Sequence, residues 1–196
     1  MKLYIVAGII AGFLVVYALS AITGNAAAGS GMPILPNAAE PKSGLPEQEF
    51  YHAHADFKVF INGNEMDFAK EKYEHIDRNI HLHVNNPYGG YLLHLEGRKA
   101  PIGAFFSSLG MAFNSTCFST ETKSYCDDGT PALAFFVDGE QNYEYGDYVP
   151  QDMDRILITY GSAEPIKEQM DSVTSVACAF SGRCAIPQEL EGMDLL

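Results

Sequence analysis

Apolar and polar residues alternate from Asn79 to Val84, with Ile80, Leu82 and Val84 on one side and Asn79, His81 and His83 on the other. That period of two predicts a half-buried β-strand. Tyr91 to Glu96 reads as the return strand, reached through turn chemistry at Asn85-Asn86-Pro87-Tyr88-Gly89-Gly90. Phe57 to Ile61 has strand composition. It runs into Asn62-Gly63 or Gly63-Asn64, a strong hairpin signal, before Glu65 to Phe68 returns. Leu133 to Val137, Asp138-Gly139 and Gln141 to Tyr145 repeat that plan, as a duplicated half-domain or two ordinary hairpins would. Arg155 to Tyr160 is a further strand. Ala100 to Met111 predicts a short helix, entered after Pro101 and stopped near Gly110, with Phe105, Phe106 and Leu109 as its apolar stripe. Residues 164–177 predict another, with Ile166, Met170, Val173 and Ala177 spaced for one face.

The pattern is different before Phe50. Leu3 to Ile22 is nearly free of polar groups, and about twenty apolar residues can cross about 30 Å of hydrocarbon as a helix. The segment reads as an uncleaved membrane anchor, with a secretory signal cut near Ala26-Ala27-Ala28 as the alternative. Lys2 keeps the amino terminus cytoplasmic, so either reading places the rest of the chain outside the cytoplasm. Pro33, Pro36, Pro41 and Pro46 mark an extended linker. The expected organisation is an anchor or signal segment (1–24), a linker (25–48), a β-rich domain (49–163) and a C-terminal helix, disulfide loop and acidic tail (164–196). The fold class is α+β, a mainly antiparallel sheet with short helices, after an N-terminal transmembrane helix or signal segment.

Composition changes this picture in two respects. A formal net charge of -13 excludes a nucleic-acid partner, because phosphate contacts need clustered Lys and Arg, and it favours soluble cations. Four cysteines outside the cytoplasm favour disulfides, the simplest pairing being Cys117 with Cys126 and Cys178 with Cys184. Neither pair has the spacing of a thiolate metal site or a redox motif.

The chemistry lies in the histidines. All six fall between His52 and His94, where average usage would place about one. His52-Ala53-His54 and His81-Leu82-His83 each project two rings to one face of a strand, and His94-Leu95-Glu96 adds a third pair. An even number of paired loop residues puts His81, His83, His94 and Glu96 on one face; an odd number would put His94 behind the sheet. The expectation is the even loop. His52, His54, His81, His83, His94 and Glu96 are the candidate ligands of a copper or zinc ion, the metals such nitrogen-rich sets favour. Five histidines exceed one tetrahedral site, leaving one site with alternates or two adjacent metals. Asp56 continues the parity of His52 and His54 and could orient a ring. His75 lies in a polar, loop-like stretch and stays outside the primary set, and Met111 reads as core.

Three functions fit. The first is binding copper or zinc for delivery, buffering or support of a membrane metalloprotein, with the membrane reached through the N-terminal helix. The second is a metalloenzyme with Glu96 or Asp56 as its base, and the third an interaction module whose histidines pack or sense pH.

The runs "HAHADFKVFING", "HLHVNNPYGGYLLHLEG" and "PIGAFFSSLGMAFN" resemble a group of exported or membrane-anchored bacterial and archaeal proteins with no assigned activity. That group pairs H-x-H strands with an H-x-E hairpin, and the likeness covers roughly residues 50–160. It implies a metal-binding role. Where the group often has Asp after the second H-x-H, this chain has Val84-Asn85, so no carboxylate ligand carries over there.

Overall fold

The structure, a computed structural model, describes residues 50–85, 87–127, 133–161, 165–188 and 191–192. The expected anchor and linker and the end of the acidic tail lie outside these residues. Among the described residues no helix is long and apolar enough to cross a membrane.

The domain is mixed α+β and mostly sheet. In chain order its strands are β1 (Tyr51–Ile61), β2 (Asn64–Glu65), β3 (Ile80–Leu82), β4 (Leu92–Gly97), β5 (Ala112–Phe113), β6 (Cys117–Ser119), β7 (Ser124–Cys126), β8 (Leu133–Val137), β9 (Glu140–Gln141) and β10 (Arg155–Tyr160). The helices are α1 (Ile102–Ser108), α2 (Ile166–Ser172) and α3 (Ala177–Phe180). The main sheet runs β3-β4-β1-β10-β8-β9, with β2 paired to β1, and β5-β6-β7 form a small second sheet. Every pairing between these strands is antiparallel except β1 with β10, at the middle of the main sheet.

β1 is longer than its apolar run announces. Residues 51–56 continue the strand because β4 pairs along their whole length, Tyr51 opposite Gly97 through Asp56 opposite Leu92. The alanines that interleave the histidines are weak strand formers in isolation, so pairing decides the conformation here. β3 is shorter than expected and stops at Leu82. The Glu74 carboxylate accepts the Val84 N–H at 2.5 Å, which draws Val84 away from the ladder.

Both hairpin turns have left-handed central residues, Asn62 and Gly63 (φ 50° and 76°) and Asp138 and Gly139 (φ 52° and 86°). Positive φ at both positions suits the twist of a two-residue hairpin, which Asn-Gly and Asp-Gly adopt at low cost.

The two faces of the main sheet are covered differently. Odd-numbered β1 residues from Ala53 to Ile61 join Ile80, Leu82, Leu93, Leu95, Phe105, Phe106, Phe113 and Phe118 in the main core. Met111 belongs to that core. Burying each large apolar side chain there contributes about 1.5–3 kcal/mol. The opposite face carries the histidines at the β3-β4-β1 end. Elsewhere it is covered by the C-terminal segment, through Phe60, Leu157, Met170 and Val173 and through Leu92, Ala177 and Phe180.

The helix expected over 164–177 is two shorter helices. Asp56 and Arg155, directly opposite each other on β1 and β10, clamp the link between them. The Asp56 carboxylate accepts hydrogen bonds from Thr174 Oγ1, from Val176 N (3.1 Å) and from Ala177 N (2.9 Å). The Arg155 guanidinium donates to the carbonyls of Met170 (2.9 Å), Val173 (2.6 Å) and Thr174 (3.1 Å). These bonds satisfy the end of α2 and the start of α3 and hold the chain out of a continuous helix. The expected disulfides are both present, Cys117–Cys126 across β6 and β7 and Cys178–Cys184 around the end of α3.

Candidate metal centre

Strand register builds the site. His54 on β1 lies opposite His94 on β4, and His94 lies opposite His81 on β3. The even loop is therefore found, and His81, His94 and His54 form one row across three strands. All three are buried. His52 flanks the row on β1, and His83 follows the end of β3. The sixth histidine comes from outside the strands. His75 donates its backbone N–H to Leu82 O at 3.0 Å and adopts φ 44°, a left-handed conformation that costs a non-glycine residue about 1–3 kcal/mol. In that conformation its ring stacks on His81, with centroids 3.8 Å apart.

The six rings form two groups that can hold a metal ion: His52, His54 and His94, and His75, His81 and His83. Within each, the ligand nitrogens lie within 4.8 Å of one another. His52 Nε2 is 3.0 Å from His94 Nε2. His94 Nδ1 is 3.1 Å from His83 Nε2, and His83 Nε2 is 3.1 Å from His81 Nε2. Nitrogens sharing one ion at 2.0–2.1 Å stand about 2.9 Å apart at a right angle and about 3.3 Å apart at the tetrahedral angle. The closest contacts already have that spacing. They are poor as hydrogen bonds among themselves, because His83 Nε2 has one proton or one lone pair to serve two neighbours.

Two polar links orient the rings. Asp152 Oδ1 accepts from the His54 backbone N–H (3.1 Å) and from Ser181 Oγ. Ser181 Oγ lies 3.0 Å from His54 Nδ1. The Ser181 proton is committed to the carboxylate, so the hydroxyl oxygen accepts from His54 Nδ1–H. That tautomer leaves the His54 Nε2 lone pair free for a cation. On the other group, Glu74 Oε1 stands 3.5 Å from His83 Nδ1 and favours the same assignment, with Nε2 as the ligand end.

The buried rings are held neutral. Burial, aided by His52 and His83 and opposed by Asp152, pushes His54 down to about 4 from 6.5. Burial with His75 and His83 takes His81 to about 4, Asp77 pulling weakly the other way. Burial and the four surrounding imidazoles take His94 to about 3. A neutral imidazole is the form that binds a metal.

Both carboxylates singled out in the sequence stay apart from the rings. Asp56 shares the histidine face, yet its oxygens are engaged by Thr174, Val176 and Ala177. Burial raises its carboxyl above the ordinary range in spite of those bonds. Glu96 is opposite His52 in the ladder, but its side chain is exposed and joins neither histidine group. It lines a cleft of about 650 Å³ with Phe50, His75, Arg78 and Arg98. Through that cleft, the exposed His52 and the half-buried His83, both groups reach solvent.

Period-two reasoning brought five of these six histidines to one face and missed four other residues of the cluster. His75 offered one signal, its place in the same short window as the others. Ser181, Asp152 and Glu74 offered none, since no local pattern links a serine to a histidine 127 residues away.

No known family, curated protein or solved structure matches the chain.

Proposed function

We propose that this chain is an extracytoplasmic, membrane-tethered protein that binds copper or zinc, for delivery, buffering or support of a membrane metalloprotein. The observation that carries this reading is the pair of histidine triads on one sheet face, their buried rings held neutral and His54 oriented through Ser181 and Asp152. An all-imidazole donor set suits copper and zinc and lacks the oxygen ligands that magnesium and calcium require. The exposed rings of His52 and His75 favour an ion that enters and leaves over one sealed into the fold. The net charge of -13 draws cations toward the domain. The disulfides and the apolar run from Leu3 to Ile22 support an anchored protein in an oxidising compartment. Catalysis is the weaker reading, because Asp56 is tied into the C-terminal segment and Glu96 points to solvent.

The test is the metal content of the full-length chain, purified without a histidine tag, beside His54→Ala/His81→Ala. Stoichiometric copper or zinc that the double variant loses is expected. Absence of both metals after reconstitution of a folded chain would sink the proposal.

A further inference from the structure

We infer that His94 is a bridging ligand: its ring holds two metal ions at once, Nε2 toward the His52–His54 side and Nδ1 toward the His81–His83 side. The inference rests on the metal-binding reading and concerns how the two groups are joined. His94 occupies the middle of the row, between His54 on β1 and His81 on β3. Its two ring nitrogens face opposite partners, His52 Nε2 at 3.0 Å and His83 Nε2 at 3.1 Å. No other histidine has a second imidazole nitrogen of this kind at both of its own nitrogens among the described contacts. His54 Nδ1 is given to Ser181, and His83 Nδ1 faces Glu74.

The proton inventory separates two outcomes. Neutral His94 carries one ring proton, so a single ion leaves one nitrogen as an N–H. With one ion at Nε2, Nδ1–H donates to His83 Nε2 and removes that lone pair from the second group. With two ions, two metal–nitrogen bonds form at His94, the remaining ring proton passes to solvent, and the His83 Nε2 lone pair no longer accepts from His94 and turns to the second ion. The ring becomes an imidazolate whose π-system links the ions. His75, His81 and His83 complete the second ion's ligands, and His52 and His54 the first's. The strained backbone at His75 (φ 44°), which brings its ring against His81, is accounted for as the third donor of that second position.

The experiment is a Cu(II) titration of the full-length chain without a histidine tag, with copper content and electron paramagnetic resonance measured on the same samples. The chain is expected to take up two copper ions, with spin intensity rising over the first and falling below half of the bound copper once the second is seated, because the imidazolate couples the spins. His75→Ala/His83→Ala, altered at solvent-accessible rings, is expected to bind one copper with full spin intensity. His94→Gln is expected to abolish the coupling. Saturation at one ion, or two ions with full uncoupled spin intensity, would overturn the bridge and leave metal binding standing. No bound copper in the folded chain would overturn the metal-binding reading itself.

Discussion

Ser181 decides which nitrogen of His54 faces the site. Its hydroxyl is committed to Asp152, so it can only accept from the imidazole, and Asp152 is independently held by the His54 backbone N–H. Ser181→Ala therefore removes the link while leaving the carboxylate in place. Zinc affinity measured by chelator competition is expected to weaken about 10–100-fold, the usual effect of losing a group that orients a ligand. Circular dichroism should not change, and Ser181→Thr should recover most of the loss. Unaltered affinity in Ser181→Ala would show that His54 is oriented by packing alone, Phe180 being its aromatic neighbour at 5.8 Å. Asp56 lies two residues from His54 and has a different task. Asp56→Asn withdraws the charge facing Arg155 and one of the acceptors that gather Thr174, Val176 and Ala177. Breaking a buried charged network of this kind costs about 3 kcal/mol. Chemical denaturation should report that loss while metal stoichiometry stays the same. A catalytic base would behave in the opposite way, with stability kept and a metal-dependent activity lost.

At the scale of elements, the two disulfides separate stability from function. Cys117–Cys126 ties β6 to β7 within the small sheet, whereas Cys178–Cys184 closes the turn that presents Ser181. Closing loops this short stabilises a fold by about 2–3 kcal/mol on the chain-entropy account. Cys117→Ser/Cys126→Ser is expected to lower Tm and leave zinc affinity alone. Cys178→Ser/Cys184→Ser should lower both, because freedom in residues 178–184 loosens the Ser181 contact. Equal affinities in the two variants would detach the C-terminal segment from the site. This segment is also where the sequence was least readable. The longer strands of the main sheet and the H-x-H faces were legible because a period of two is written in neighbouring residues, and the parity that places His94 beside His81 follows from it. The short strands β5, β6 and β7 carried no such run. The break between α2 and α3 was not legible, because Val173 and Ala177 keep helical spacing while Asp56 and Arg155 act on the connector from another part of the chain. The parallel pairing of β1 with β10 escaped for the same reason: two strands a hundred residues apart carry no mark of their direction.

For the whole molecule, the buried imidazoles set how stability depends on pH. His54 and His81 are held near 4 and His94 near 3, against 6.5 for a free imidazole. Between pH 6.5 and about 4 the unfolded chain takes up protons at these rings that the folded chain refuses. Their contribution is fully present above that window and is lost as the pH falls through it. Asp56 and Asp154 act with the opposite sign. Burial raises both carboxyls, so their share declines as the pH rises through the raised values. The histidine share is isolated by comparing the metal-free chain with His81→Gln, whose side chain does not titrate. Tm of the native chain is expected to fall by several degrees from pH 7 to pH 5, at about 2–4 °C per kcal/mol for a domain of this size. His81→Gln should start lower and fall less. Added zinc should raise Tm at pH 7 and progressively less as the pH approaches 5, because an ion that binds only neutral rings competes with protons for them. A native chain whose Tm is flat over this range, with a zinc increment that does not shrink, would mean that the rings titrate as they do in water and that the row across β3, β4 and β1 is open to solvent.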